Sequence, residues 1–126
     1  MRPEEGDHAR LWDIVRWGDR LTRLVQDLTW DEYRRDEVKQ TAVERCIEVI
    51  GEAARHLSEA FKQQHPDMPW RDIIQQRNVI AHGYFGLEHD RLWQVAKVEA
   101  PLLVARLAPL VSNPPPDPEP DDSGGT

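Results

Sequence analysis

The stretch from Asp7 to Leu28 reads DHARLWDIVRWGDRLTRLVQDL. Its apolar positions Leu11, Ile14, Val15, Gly18, Leu21, Leu24, Val25 and Leu28 recur at steps of three and four. That is the period of a helix with one buried stripe. Arg10, Asp13, Arg16, Arg20 and Arg23 fall on the opposite, solvated face. Such a rod is stable only when other elements cover its stripe, because burial of an amphipathic face supplies most of a helix's stability.

The rest of the chain supplies those elements. Thr29 is an expected N-cap, since its hydroxyl can accept an orphan backbone N–H, and Asp31 and Glu32 suit the positive end of a helix dipole. A second helical segment is expected over Trp30–Gln63, bent near Arg35-Asp36, with Val38, Ala42, Cys46, Val49, Ile50, Ala53, Leu57, Ala60 and Phe61 along its stripe. His65-Pro66-Asp67-Met68-Pro69 then breaks the chain, because proline lacks a donor and restricts its predecessor. A third helix starts at Pro69 or Trp70 and ends near Gly83, with Trp70, Ile73, Ile74, Arg77 and Ile80-Ala81 on its inner side. A fourth runs over Glu88–Val111, lined by Leu92, Val95, Ala96, Leu102, Leu103, Leu107 and Leu110 and kinked at Pro101. No stretch alternates in the manner of a half-buried strand. The expected fold is all-α: a four-helix bundle over residues 1–112, with a disordered, acidic, proline-rich tail over 113–126.

Composition narrows the function. A chain of 126 residues is one domain with one modest core. The opening Met1-Arg2-Pro3-Glu4-Glu5-Gly6 is charged where a secretory leader would be apolar, and no apolar run is long enough for a membrane span. Cys46, the single cysteine, has no internal partner, so a reducing, cytoplasmic setting is expected. The net charge of −7 argues against non-specific nucleic-acid binding by the whole surface. Asp117, Glu119, Asp121 and Asp122 of the tail carry much of it; without them 16 bases face 19 acids. A body that close to neutral can hold RNA at a focused site.

The chemistry concentrates in Arg77-Asn78-Val79-Ile80-Ala81-His82-Gly83-Tyr84. Arginine offers a permanent charge and a planar fork of donors that fits phosphate oxygens. Histidine exchanges a proton near neutral pH. Together they suffice for RNA cleavage without a metal: the ribose 2′-hydroxyl attacks, histidine takes its proton, and arginine stabilises charge at phosphorus. Five residues rotate a helix by about 500°, so Arg77 and His82 lie about 140° apart with a rise of about 7.5 Å. One helix alone makes a poor site at that angle. A two-fold dimer returns the same motif on a facing chain.

Arg-x4-His-x-Tyr, standing here as Arg77, His82 and Tyr84, resembles the signature of HepT-like members of the HEPN superfamily. The resemblance extends to Thr41-Ala42-Val43-Glu44-Arg45, Ile50-Gly51-Glu52-Ala53, Pro69-Trp70 and Leu92-Trp93, and so covers nearly the whole body. It implies a dimeric HEPN-type bundle acting as the ribonuclease toxin of a toxin–antitoxin pair, with Arg77 and His82 catalytic, Asn78 supporting, and no cofactor or metal. It further implies a small nucleotidyltransferase antitoxin of the MntA type that transfers AMP from ATP to Tyr84. An alternative within the same resemblance is a non-catalytic nucleotide- or substrate-binding companion of a nucleotidyltransferase.

Each residue also has a plainer reading. Arg77 could pair only with Asp72 or Glu88, His82 could cap a helix C-terminus, and Tyr84 and Phe85 could simply pack. Glu52, a carboxylate on an apolar stretch, is either a supporting partner for Arg77 or a rim residue. His8, His56, His65 and His89 lack metal-ligand spacing and are expected in solvated or capping roles. Cys46 is expected to be a buried small hydrophobe. Trp12, Trp17, Trp30, Trp70 and Trp93 are expected as packing anchors, and Arg34, Arg35 and Lys39 as a solvated face.

Overall fold

The computed structural model describes residues 5–83 and 88–111, which form helices joined by short turns, with no strand among them. Four rods carry the architecture: α1 (Glu5–Val25), α3 (Glu37–Arg55), α5 (Trp70–Ala81), and a composite rod of α6 (His89–Gln94), a π turn (Val95–Glu99), α7 (Ala100–Leu107) and a terminal 3-10 turn (Ala108–Leu110). Helix α3 packs between α1 and α5, and α7 closes against α1. The core takes Leu11, Ile14, Leu21 and Val25 from α1, Val43, Ile47 and Ile50 from α3, Ile73 from α5, and Leu92, Leu103 and Leu107 from the last rod; of the residues expected on the stripes, Val38, Ala60, Leu102 and Leu110 are exposed instead, and Val43 and Ile47 take core places outside the expected stripe. The all-α, HEPN-type bundle expected from sequence is therefore the fold.

The boundaries differ from the periodic reading where capping chemistry intervenes. The segment expected over Trp30–Gln63 is three helices: α2 (Trp30–Tyr33), α3, and α4 (Glu59–Gln64). Asp36 is extended (φ −112°) and accepts the Lys39 N–H, so the chain restarts there instead of bending. Ser58 does the same for α4, accepting the Phe61 N–H at 3.1 Å. A side-chain oxygen that satisfies an orphan donor stabilises a helix start by about 1 kcal/mol, enough to divide a continuous apolar stripe. Thr29 caps α2 as expected and forms a reciprocal capping box with Glu32. Helix α1 begins before Asp7 and ends at Val25, short of Leu28. Asp7 is nearly fully buried and accepts from both the Ser58 backbone N–H (2.8 Å) and hydroxyl (2.6 Å), pinning α1 to the start of α4.

The last rod contains a deviation that the expected kink at Pro101 only partly anticipates. The five residues before Ala100 form a π turn, and Ala100 donates to the Val95 carbonyl. Pro101 has no N–H to continue the ladder, so a widened turn just ahead of it costs little. The turn lets Lys97 Nζ reach the Val25 carbonyl at 2.8 Å, a cation on the negative end of α1. Cys46 is buried, as expected, and burial pushes its thiol pKa up. No helix among the described residues is long and apolar enough to cross a membrane. The expected tail over 113–126 and Tyr84 lie outside the described residues.

Candidate functional site

Arg77 sits in the last half of α5 and faces α3. Its place is set by Gly51. A Cβ added there would lie 2.2 Å from Arg77 Cβ and 2.9 Å from the Ile73 carbonyl, so the two helices approach more closely than any side chain at position 51 permits. The next residue, Glu52, then meets the guanidinium: its Oε2 lies 2.8 Å from Arg77 Nη2. Arg77 Nη1 donates to Asn78 Oδ1 at 3.0 Å. Neither Asp72 nor Glu88 balances the charge; Asp72 pairs with Arg91 instead. Arg77 Nε is buried with no hydrogen-bond partner among the described residues. The guanidinium is thus held on two sides, at about one-fifth side-chain exposure.

Glu52 is the anionic hub of this end of the molecule. Besides Arg77 it binds Arg55 Nη2 at 3.2 Å and His56 Nε2 at 2.8 Å. The Arg55 hydrogen bond, then that of His56 and the charge of Arg77, hold its carboxyl below the usual glutamate range against the opposing pull of desolvation. Arg55 and His56 are partners of Glu52 that motif reading passes over. Their signal is the spacing of three and four residues from Glu52, which puts all three on one helix face. His56 is also the C-cap of α3, the capping role expected for it. Arg10, Asp13, Arg45, Glu48, Glu52 and Arg77 line a cleft of about 310 Å³ between α1, α3 and α5.

His82 is the C-cap of α5, in the αR region, and its backbone N–H donates to the Asn78 carbonyl. Gly83 follows at φ +61°, the left-handed turn that ends helices and that a side chain would strain. His82 fills the capping position, and its side chain is exposed at the helix end. The structure therefore brings together Arg77, Asn78 and Glu52, with His82 one turn farther along the same helix. On ideal helix geometry Arg77 and His82 lie about 140° apart. Tyr84 lies outside the described residues.

The family profile described as "Ribonuclease HepT-like" matches residues 14–109, from α1 to the final 3-10 turn. The chain belongs to the HepT-like ribonuclease family. Among its curated relatives is a Methanocaldococcus jannaschii protein named "Putative RNase", 31% identical over 93 residues, 74% of this chain and 85% of that one. A second from the same organism carries the same description and is 30% identical over 111 residues, 88% of this chain and 92% of the relative. A Thermococcus cleftensis protein named "Probable ribonuclease HepT" is 31% identical over 100 residues, 79% and 91% of the two chains. No solved structure matches.

A second charged cluster lies at the other end of α5. Arg91 Nη2 meets Asp72 Oδ2 at 2.5 Å and Glu99 Oε1 at 3.6 Å. Burial, then the hydrogen bond and charge of Asp72, push the Glu99 carboxyl up to about 7. Asp72, beside Glu99 and the Arg91 guanidinium, is held below its ordinary value against the opposing pull of burial.

Proposed function

We propose that this protein cleaves RNA without a metal, using Arg77 and His82. The observation that carries the reading is the fixed guanidinium: Gly51 admits it to the α3 surface, and Glu52 and Asn78 hold it there. A preorganised cation of this kind is what a developing phosphorane charge requires. In the proposed reaction His82 takes the proton of a ribose 2′-hydroxyl, and the 2′-oxygen forms a bond to the adjacent phosphorus. The bond to the 5′-oxygen of the next nucleotide breaks, and that oxygen leaves with a proton from a second imidazole. The products are a 2′,3′-cyclic phosphate and a 5′-hydroxyl, and no water is consumed. The second imidazole is His82 of a partner copy, since Arg77 and His82 of one helix diverge and a two-fold axis restores a complete set. The family membership supports the RNA substrate.

The reading extends to control. The protein acts as the cytoplasmic toxin of a toxin–antitoxin pair, and its partner is a small MntA-type nucleotidyltransferase that places AMP on Tyr84. Tyr84 follows Gly83 in the sequence, two residues past His82, and an added nucleotide brings bulk and negative charge to the motif.

Purified protein incubated with total RNA in EDTA tests the chemistry. Cleavage by wild type, lost in His82→Ala, is expected; intact RNA in both contradicts the enzyme and leaves the non-catalytic companion. Intact-mass analysis after co-expression with the transferase tests the control: an AMP adduct on wild type, absent from Tyr84→Phe, is expected, and an adduct that maps to Tyr33 contradicts it.

A further inference from the structure

The cation-rich end of α5 holds an imidazole that the cleavage reading leaves unused. His56 Nε2 lies 2.8 Å from Glu52 Oε1, and Arg77 Nη2 lies 2.8 Å from Oε2 of the same carboxylate. One anion thus joins the imidazole to the guanidinium, with one of them on each oxygen. Arg55 Nη2 crowds the imidazole's side, 3.2 Å from Oε1 and 3.4 Å from His56 Nε2. Helix geometry holds the group together. Positions 52, 55 and 56 are three and four apart on α3, and the His56 backbone caps that helix.

The hydrogen positions follow from the partners. The Glu52 carboxyl is held below the usual glutamate range, so it is ionised near neutral pH and can only accept. The short contact therefore puts a hydrogen on Nε2, and the proton that charges the ring goes on Nδ1. The His56 side chain is 43% exposed, so that proton exchanges with solvent. Charging the ring turns an ordinary hydrogen bond to Glu52 into a charge-assisted one of roughly twice the strength. Glu52 then serves three cations, and its hold on each weakens. Arg77 feels the change at Nη2, because Nη1 donates to Asn78 and Nε is buried with no hydrogen-bond partner among the described residues. The other charged groups nearby are Arg10 and Asp13 on the α1 wall of the adjoining cleft; Asp7 is tied to Ser58, and Glu59 of α4 to Lys62.

We propose that His56 is a positioning residue for Arg77: a proton taken up at Nδ1 draws Glu52 toward the imidazolium, frees Arg77 Nη2 for a substrate phosphate and adds a positive charge beside it. The inference rests on the ribonuclease reading above and adds to it a control of substrate binding by pH. Binding is tighter at low pH, where the ring is charged, and weakens as pH rises. The effect falls on binding and not on the chemical step, for which His82 must be neutral to take a proton.

The test is fluorescence anisotropy with a labelled, fully 2′-O-methylated RNA octanucleotide, which binds but cannot be cut by 2′-oxygen attack, read at about pH 5.5 and about pH 8. All proteins in this series carry His82→Ala, so the motif imidazole adds nothing to the difference. The His82→Ala protein is expected to bind about 3–5-fold more tightly at the lower pH, the size of one partly screened charge contact. His56→Gln keeps a hydrogen bond to Glu52 without the charge and should remove the gain. His56→Lys should bind tightly at both pH values. Arg77→Ala should also remove the gain. A gain that survives His56→Gln overturns the proposal. A gain that survives Arg77→Ala makes His56 a direct phosphate contact and overturns its positioning role. In cleavage by the chain with His82 intact, His56→Gln should raise KM at about pH 6 and leave it unaltered at about pH 8, a split that a structural cap alone would not produce. A His56-dependent gain in a protein that cuts no RNA sustains the link to Arg77 and overturns the ribonuclease reading; cleavage with no such gain does the reverse.

Discussion

Helix α5 carries an arginine–carboxylate site at each end, and the two are built with opposite surpluses. At the Arg77 end one carboxylate, Glu52, is shared by Arg77, Arg55 and His56. At the Asp72 end two carboxylates share one arginine, Arg91. The first site holds more cation than it can neutralise internally and lowers the pKa of its acid. The second is short of cation, and burial beside Asp72 pushes the Glu99 carboxyl up to about 7. The same pair of residue types thus serves two purposes. Two arginines on one carboxylate suit an anionic substrate, while two carboxylates on one arginine tie α5 to the last rod.

Several substitutions break or sharpen this contrast. The largest expected effect separates the two arginines. Arg77→Ala should reduce RNA cleavage by about 10²–10³-fold, as loss of a preorganised charge stabiliser does, with little change in Tm. Arg91→Ala should do the opposite. It leaves Asp72 and Glu99 without their cation at partly screened positions, costing about 1–2 kcal/mol of stability by denaturant titration, with kcat per folded molecule retained. If Arg91→Ala abolished cleavage in fully folded protein, the division between the two ends would be wrong.

Gly51→Ala comes next. The new Cβ would meet Arg77 Cβ and the Ile73 backbone oxygen, neither of which is a flexible chain end, so about 1–3 kcal/mol of stability should be lost. Gly18→Ala is the control, because its one tight contact is the Val104 Cγ2 methyl at 2.8 Å and that side chain can move. A Gly51→Ala protein as stable as Gly18→Ala would show that α3 and α5 are not held at the described spacing.

Glu52→Gln should have a smaller effect. It removes the anion that positions Arg77 and keeps the shape. Cleavage is expected to fall about 10-fold through kcat, while KM for RNA stays level or drops because the cleft is less negative. A rise in KM alone would make Glu52 a substrate contact instead of a positioning residue.

The smallest effect is a pH dependence. The Glu99 carboxyl has a folded pKa of about 7, above its ordinary value of 4.5, so the folded protein binds that proton more tightly than the unfolded chain. Stability from this group is therefore present at low pH and lost as pH rises from about 4.5 through 7. Glu99→Gln should flatten Tm between pH 5 and 7.5 relative to wild type. Parallel profiles would remove Glu99 from the account.

How much of this the sequence made legible follows from the range of the interactions. The rods are legible because an apolar stripe repeats every three or four residues whatever it packs on. The division of the second segment is local too, but it resides in Asp36 and Ser58, single capping residues that a periodicity reading smooths over. The pairing of Glu52 with Arg77 was one of several partners open to Arg77; the choice is made by Gly51, whose missing side chain lets α5 close on α3. The Asp72–Arg91–Glu99 cluster was not legible. Its members lie on two different rods, and Glu99 reaches Asp72 by way of a π turn that no helical period marks. His89, expected to be solvated or capping, is partly buried beside Tyr33 for a related reason: the aromatic group of Trp30, Tyr33 and Trp93 draws the start of α6 against α2.

The central claim is that the cation-rich end of α5 cuts RNA through the 2′-hydroxyl. End-group analysis of the products formed in EDTA tests it most directly. The account predicts 2′,3′-cyclic phosphates and 5′-hydroxyls from wild type, the same ends from Arg91→Ala, and no products from Arg77→Ala or His82→Ala. Products ending in 3′-hydroxyls, or cyclic phosphates still formed by His82→Ala, would contradict it.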